Sequence, residues 1–326
     1  MLSNPTTWTE YVQGILSTVT EEGHPDFEEV KPIHRPVIEN LIRGKFRQAE
    51  HMCLVAFESE LEDSLLWTLH ALAIWHTGDG DGIRESIQRA HDLSNSLSLT
   101  WNLMAGLSNK MGFTPEAIFA YQASLLIDEN QVLPRKHLYA IYKTQEKWEK
   151  AYEIVRKLVH LIPHEIGAWG NLDEALEHLG YPEAGQQLVR ELAAKYPTNH
   201  LAWWLCGTVM ARCGNMMEAE KAARRAVELC RDDAACFNLL GNVLVKTGRE
   251  KAAVKHFRRV TKLEPDEGWG WYNLGTALVQ LGKIQEADLA FRRMQELDSE
   301  LYERVLSLNL NRLLTGEGPD TVTVND

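Results

Sequence analysis

The sequence lacks several features that would place it in a common class of protein. Only five of its 326 residues are cysteines, which is too few for a disulfide framework and predicts a cytoplasmic location. No run of 18 apolar residues is present to span a bilayer. The first 19 residues have neither the basic start nor the uninterrupted apolar centre of a signal peptide. We therefore expect no membrane insertion.

Basic residues are also scarce. The formal net charge is −12, and the segment up to Leu97 contains 16 acidic and 7 basic residues. Because binding to phosphates depends on clustered lysine and arginine, this balance predicts no nucleic-acid partner. With 44% hydrophobic and 25% charged residues, the composition is typical of a folded globular chain.

Arrangements of side chains that indicate catalysis or metal binding are missing as well. His164-Glu165 begins a string like that of zinc proteases, but Ala168 occupies the place of the second histidine. The segment 79–82, Asp-Gly-Asp-Gly, lacks the other ligands of a calcium loop and is typical of a turn. The cysteines lack the paired spacing of a zinc site. We predict no enzymatic activity, no cofactor and no metal.

What the sequence does contain is a 34-residue period, which is typical of a repeat architecture. Steps of 34 from Trp271 give an aromatic column with two exceptions: Trp271, Phe237, Trp203, Trp169, Arg135, Trp101, Trp67 and Ile33. A second column is glycine with one exception: Gly282, Gly248, Gly214, Gly180, Glu146, Gly112, Gly78 and Gly44.

Each 34-residue unit predicts two helices. From Gly268 to Leu281, apolar residues recur every three or four positions, which indicates one buried helical face. Gly282 ends this helix where a left-handed residue is needed, and the segment from Ala287 to Leu297 repeats the helical spacing. One helix pair cannot bury both of its faces, so neighbouring pairs must stack.

The positions of Trp271, Leu274-Gly275, Ala287 and Phe291 resemble the tetratricopeptide repeat family. The resemblance implies an all-α, right-handed α-solenoid (superhelix) of eight helix-turn-helix repeats with flanking N- and C-terminal helices. The predicted segments are an N-terminal amphipathic helix and acidic linker (1–29), eight repeats (30–63, 64–97, 98–131, 132–165, 166–199, 200–233, 234–267, 268–301), a C-terminal capping helix (302–314) and a mobile tail (315–326).

The resemblance also implies a function. First helices of this family line a concave groove, so we expect a non-enzymatic adaptor or scaffold that binds a peptide or helix of another protein. By position, the partner-binding groove consists of Trp204, Thr208, Arg212, Asn238, Asn242, Lys246, Trp269, Tyr272, Thr276 and Gln280. A secondary, mixed-charge groove consists of Lys136, Lys143, Asn171, Glu174 and His178. In the first groove we expect aromatic rings to anchor the partner and the two asparagines to bind its backbone.

Three alternatives stay open at this point. The chain is also compatible with a regulatory or targeting subunit of a separate enzyme, such as a glycosyl- or sulfotransferase. The predicted C-terminal helix is apolar around most of its circumference, which favours self-association or a covering partner unless its helical phase is different. Arginine pairs at 224–225, 258–259 and 292–293 form a ladder that is either a solvated face or a phosphate-binding stripe.

Overall fold

The structure is a computed structural model that describes residues 30–59, 61, 63–77, 79–93 and 98–300, together with Leu16 and Glu303. Apart from these two isolated positions, the predicted N-terminal helix, acidic linker, C-terminal capping helix and tail lie outside the described residues. The predicted self-association through the capping helix therefore stays a prediction.

The described residues form sixteen α-helices and no strand. In chain order they are α1 His34–Ile42, α2 Phe46–Glu58, α3 Ser64–Ile74, α4 Gly80–Asp92, α5 Ser98–Lys110, α6 Thr114–Ile127, α7 Leu133–Thr144, α8 Trp148–Leu161, α9 Ile166–His178, α10 Glu183–Lys195, α11 His200–Arg212, α12 Met216–Leu229, α13 Ala234–Lys246, α14 Glu250–Leu263, α15 Gly268–Gln280 and α16 Ile284–Leu297. A short 3₁₀ turn, Trp75–Thr77, follows α3.

The helices are arranged in pairs that follow the 34-residue period. The second helix of each pair begins 33 to 35 residues after the second helix of the preceding pair. The chain divides between Leu161 and Ile162 into two compact units, the first containing α1 to α8 and the second α9 to α16. The predicted all-α helical repeat fold is confirmed.

The two helices of a pair differ in how much of their surface is buried. In α13, nine of the thirteen residues are buried, because this helix contacts α11 and α15 as well as α14. In α14, five of fourteen residues are buried, and they lie at spacings of one, three and four on a single face. The first helix of this pair is thus packed from several directions, while the second leaves most of its residues at least partly exposed to water.

The turn inside each pair depends on the glycine column. Six of its glycines have φ between +69° and +81°, a region that residues with a Cβ adopt at a cost. Gly282 shows the resulting C-cap, with its N–H donating to the Val279 carbonyl at 2.9 Å and that of Lys283 to the Leu278 carbonyl at 2.9 Å. Glu146, the exception in the column, has the same left-handed conformation, with φ of 54°.

The tryptophan column forms a hydrogen bond that the sequence pattern did not predict. In three of the 34-residue repeats, the indole N–H donates to the carbonyl of the proline six residues earlier. This bond connects the first helix of the repeat to the preceding turn. The pairs are Trp169 with Pro163 at 2.9 Å, Trp203 with Pro197 at 3.0 Å and Trp271 with Pro265 at 3.0 Å.

Two repeats without tryptophan use arginine to bond a backbone carbonyl near the same turn. Arg135 is buried, and its Nη1 donates to the Gln131 carbonyl at 2.7 Å. Phe237 has no donor, so the carbonyl six residues earlier, that of Arg231, accepts from Nη2 of Arg259 at 3.1 Å. The guanidinium of Arg259 also lies 5.9 Å from the centre of the Phe237 ring. The two bonds are not equivalent, since Arg135 bonds a carbonyl four residues before it and Arg259 bonds the carbonyl six residues before Phe237.

Close packing within a pair depends on glycine in the first helix. A Cβ at Gly241 would lie 2.5 Å from the ring of Phe257, and one at Gly275 would lie 2.6 Å from the ring of Phe291. These distances are below van der Waals contact, so the phenylalanine of the second helix occupies the space that a larger residue would fill.

A buried histidine, His34, and a half-buried aspartate, Asp63, connect the first two helix pairs of the first unit. Asp63 caps α3 by accepting from the Leu66 N–H at 2.9 Å, and it also accepts from Nε2 of His34 at 3.0 Å and Nζ of Lys31 at 3.0 Å. Nδ1 of His34 accepts from the backbone N–H of Lys31, which places the ring proton on Nε2. Burial alone would raise the pKa of Asp63, but the bonds from His34, Leu66 and Lys31 hold it well below its usual range.

Candidate functional site

The second unit contains a cavity of about 770 Å³ that is lined by first helices alone. We call it the groove cavity. Helix α9 contributes five lining residues, α11 four, α13 six and α15 one. They are Gly170, Asp173, Glu174, Glu177, His178, Trp204, Thr208, Ala211, Arg212, Ala235, Asn238, Leu239, Asn242, Val243, Lys246 and Trp269.

The structure brings seven of the ten predicted groove residues together at this cavity. They are Trp204, Thr208, Arg212, Asn238, Asn242, Lys246 and Trp269. Thr276 and Gln280 lie on α15 but are not among its lining residues. The prediction that Tyr272 lines the groove needs correction. Tyr272 is only 6% exposed, and the centre of its ring lies 6.3 Å from that of Phe291. Its apolar ring is used in the core of the last helix pair.

The two predicted amides have different roles. The side-chain oxygen of Asn238 accepts from Nδ2 of Asn273, a buried residue of α15, at 2.7 Å. Asn238 therefore connects two helices, and its acceptor is not available to a partner. Asn242 is different, because its Oδ1 is buried and has no hydrogen-bond partner. The expectation of a matched pair of amides is thus replaced by one structural and one unsatisfied amide.

Arg212 is held by acidic and aromatic neighbours. Its Nη1 lies 2.8 Å from Glu177 Oε2 and 3.9 Å from Asp173 Oδ2, and it also hydrogen-bonds the hydroxyl of Tyr181. The guanidinium carbon lies 5.5 Å from the centre of the Tyr181 ring, a cation–π distance. Its charge is balanced within the second unit before any partner binds.

Asp173 is the residue of this cavity that sequence reasoning missed. Its side chain is almost fully buried, and burial raises its pKa to about 6. Arg212 opposes this shift, while the carboxylates of Glu177 and Glu174 add to it. The sequence did contain a signal, because steps of 34 from Asp173 reach Gly207, Gly241 and Gly275.

The secondary groove residues fall in different compact units. Lys136 and Lys143 lie on α7 of the first unit, and Asn171, Glu174 and His178 lie on α9 of the second. Glu174 and His178 line the groove cavity together with Asp173. Glu174 and His178 therefore lie in the partner-binding groove, on the side that α9 lines with acidic residues.

The arginine ladder is paired with carboxylates at every step. The pairs are Arg224 with Glu220, Arg225 with Glu228 at 3.1 Å, Arg258 with Glu286 at 2.5 Å, Arg259 with Asp232 at 3.2 Å, Arg292 with Asp288 at 2.9 Å and Arg293 with Glu296 at 3.1 Å. These contacts favour the solvated face over a phosphate-binding stripe, because a phosphate would have to displace a carboxylate at each step.

The part of the chain that the structure describes contains no group of three or more side chains placed to hold a metal ion. The five cysteines are free thiols, and burial raises the pKa of Cys206 to about 11. No helix in the same residues is long and apolar enough to cross a bilayer.

Comparison with known proteins gives one family. Residues 238–301, which span α14, α15, α16 and most of α13, match the tetratricopeptide repeat. No curated protein sequence matches the chain.

Two solved structures with TM-scores above 0.5 agree with the fold. A structure of Naa15/Naa10 bound to HypK-THB has a TM-score of 0.53 at 16% identity and covers 84% of this chain and 45% of its own. The C-terminal part of a repeat protein from Cytophaga hutchinsonii has a TM-score of 0.51 at 11% identity, with 74% and 98% covered. Yeast Tom70 has a TM-score of 0.48 at 16% identity, with 94% and 71% covered. At these identities the likeness concerns the fold alone.

Proposed function

We propose that this chain is a tetratricopeptide repeat protein that acts as a non-enzymatic adaptor or scaffold, and that its groove cavity binds a peptide or helical segment of another protein. The match of residues 238–301 to this family supports the proposal. Proteins of this family generally mediate protein–protein interactions. The observation that carries the proposal is the cavity itself, about 770 Å³ of space bordered by four first helices and by two tryptophans.

The lining residues fit the energetic needs of such binding. A micromolar complex needs about 8 kcal/mol, and one hydrogen bond contributes roughly 0.5–1.5 kcal/mol net. Asn242 and Thr208 are therefore too few to hold a partner. Trp204 and Trp269 are half-buried, so each has ring surface left to cover. Aromatic anchors of this kind contribute most of the binding energy in many interfaces.

The test is capture of partners by the full chain. Wild type and a Trp204→Ala, Asn242→Ala double variant are immobilised, and the captured proteins are identified by mass spectrometry. The affinity of a recovered partner is then measured by titration calorimetry. We expect the double variant to bind at least roughly 30-fold more weakly, since loss of an anchoring tryptophan costs about 2 kcal/mol or more.

Met217→Ala is the matched control for this experiment. Met217 is 86% exposed and lies on α12, a second helix that does not border the groove cavity. The Met217→Ala substitution removes a large apolar side chain outside the groove cavity, so this variant should capture the same proteins as wild type. Equal affinities for wild type and the double variant would contradict the proposal.

Two further expectations belong to this proposal. The pairing of the arginine ladder with carboxylates supports a protein partner over a nucleic acid. The cytoplasmic location stays a prediction from cysteine content. The alternative role, as a subunit of a separate transferase, has no observation in its favour.

A further inference from the structure

Two acceptor atoms at the groove cavity lack donors. Oδ1 of Asp173 and Oδ1 of Asn242 are both buried, and neither has a hydrogen-bond partner. Asp173 is only 3% exposed, and both residues line the cavity. Buried acceptors are nearly always paired in folded proteins, so two orphans on one cavity indicate a site that a ligand's donors complete.

Arg212 does not complete Asp173. Its Nη1 is within hydrogen-bond distance of Glu177, at 2.8 Å, but lies 3.9 Å from the nearer oxygen of Asp173. That separation gives an electrostatic contact without a hydrogen bond. An ionised carboxylate has two acceptor oxygens and no donor, so Asp173 has unused capacity whichever way it rotates.

The charges around the cavity favour a cation. Asp173, Glu174 and Glu177 of α9 are lining residues, while the cations of the lining are Arg212 and Lys246. Arg212 is already matched by Glu177, so the acidic side keeps an excess of negative charge. The described residues offer no set of three ligands for a metal ion, which leaves an organic cation as the fitting ligand.

We propose that the groove cavity accepts an arginine side chain of the partner segment, with its guanidinium hydrogen-bonded to Asp173 and a further donor of the same segment bonded to Asn242. This inference rests on the proposed function. Arginine fits better than lysine because its planar group offers five donors, loses hydration more readily and stacks on aromatic rings. Trp204 and Trp269 supply such rings in the lining.

The site should be sensitive to pH. In the free protein the pKa of Asp173 is raised to about 6 by burial, so a falling pH protonates it and removes the charge that binds the cation. Arg212 opposes the raised pKa, and Glu174, Glu177 and His178 are the other ionisable groups of α9 that line the cavity. With a pKa near 6, the ionised fraction falls about tenfold between pH 7.5 and pH 5.

The probe is a set of fluorescein-labelled nonapeptide libraries with capped ends. The central residue is fixed as arginine, citrulline, lysine or glutamate, and the other positions are mixtures of uncharged residues. Citrulline has nearly the shape of arginine without its charge. Binding to the full chain is measured by fluorescence anisotropy at pH 7.5 and pH 5, with wild type, Asp173→Asn and Asp232→Asn. Asp232 is an exposed surface carboxylate and serves as the matched control.

For wild type at pH 7.5, we expect the arginine library to bind at least roughly tenfold more tightly than the citrulline library, as a charge-assisted bond requires. The preference should be lost in Asp173→Asn, kept in Asp232→Asn and reduced about tenfold in wild type at pH 5. The wild-type pH series keeps the test valid if Asp173→Asn fails to fold.

Equal binding of the arginine and citrulline libraries to wild type would overturn this inference, and so would absence of binding by every library. Neither result would refute the proposed function, which fails only if partner capture is unchanged by Trp204→Ala with Asn242→Ala. A preference for arginine that survives in Asp173→Asn would also overturn it, since the cation would then be bound elsewhere.

Discussion

Replacement of Glu146 by glycine should stabilise the first unit. Glu146 lies just after the end of α7 and has φ of 54°, in a column where six glycines have φ between +69° and +81°. Its N–H donates to the Lys143 carbonyl at 3.0 Å, and the next N–H donates to the Tyr142 carbonyl at 2.9 Å. Because both bonds come from the backbone, Glu146→Gly keeps them. The side chain is exposed, so its removal uncovers no core.

The size of the effect follows from two opposing terms. A residue with a Cβ in the left-handed region costs roughly 1–2 kcal/mol relative to the right-handed one. Glycine gives back about 0.4–1 kcal/mol because it makes the unfolded chain more flexible. The difference predicts that Glu146→Gly raises the free energy of unfolding of the first unit by about 0.5–1 kcal/mol.

Urea unfolding followed by far-UV circular dichroism measures this change as a shift in midpoint at constant slope. The reverse change, Gly112→Glu, is the matched control in the same unit. Gly112 has φ of +81° and no heavy atom within 4 Å of a Cβ built there, so only backbone strain opposes a side chain. Its midpoint should fall. A midpoint that does not rise for Glu146→Gly, or does not fall for Gly112→Glu, would refute this reasoning.

Two other substitutions test contacts of the helix pairs. Trp271→Phe keeps an aromatic ring but loses the N–H that donates to Pro265, so unfolding should become easier by about 0.5–1.5 kcal/mol, measured as a lower urea midpoint. Asp63→Asn keeps an N-cap on α3 but removes the charge that accepts from His34, and should destabilise the first unit by about 1–2 kcal/mol at pH 7. The folded pKa of Asp63 is depressed, so the wild-type advantage should be intact above about pH 4 and disappear as acid protonates the folded carboxyl. An unchanged midpoint for Trp271→Phe, or a pH-independent difference for Asp63→Asn, would show that these contacts add nothing.

Sequence periodicity was sufficient for the helix pairs and their turns because both are local. Three- and four-residue spacing defines the buried face of each helix. Gly282 ends α15 through its own left-handed backbone conformation, which requires no distant contact. The same reasoning placed seven groove residues at one cavity, because equal steps along the chain put equivalent side chains on equivalent helices.

Contacts between neighbouring helix pairs were less predictable from the sequence. The bond from Asn273 to Asn238 joins residues 35 positions apart, and it turns a predicted ligand-binding amide into a structural one. Tyr272 shares the α15 face predicted to line the groove, yet its ring is covered by the core around Phe291 and Met294. Such outcomes depend on which neighbour covers a face, and a single helix's spacing contains no information about that neighbour.

Two residues of this chain, Asp173 and Glu146, replace a glycine of the repeat pattern, and each replacement costs free energy of folding. Glycine at positions 207, 241 and 275 lets the second helix approach the first, whereas the equivalent residue of α9 is Asp173. A buried carboxylate there costs desolvation, and its raised pKa is the measure of that cost. Glu146 departs from its column in a solvent-exposed turn and does not line the groove cavity, so we expect its replacement to improve stability alone. Asp173 lines the groove cavity, and its Oδ1 has no hydrogen-bond partner. We therefore expect the desolvation cost of Asp173 to be offset when a ligand binds.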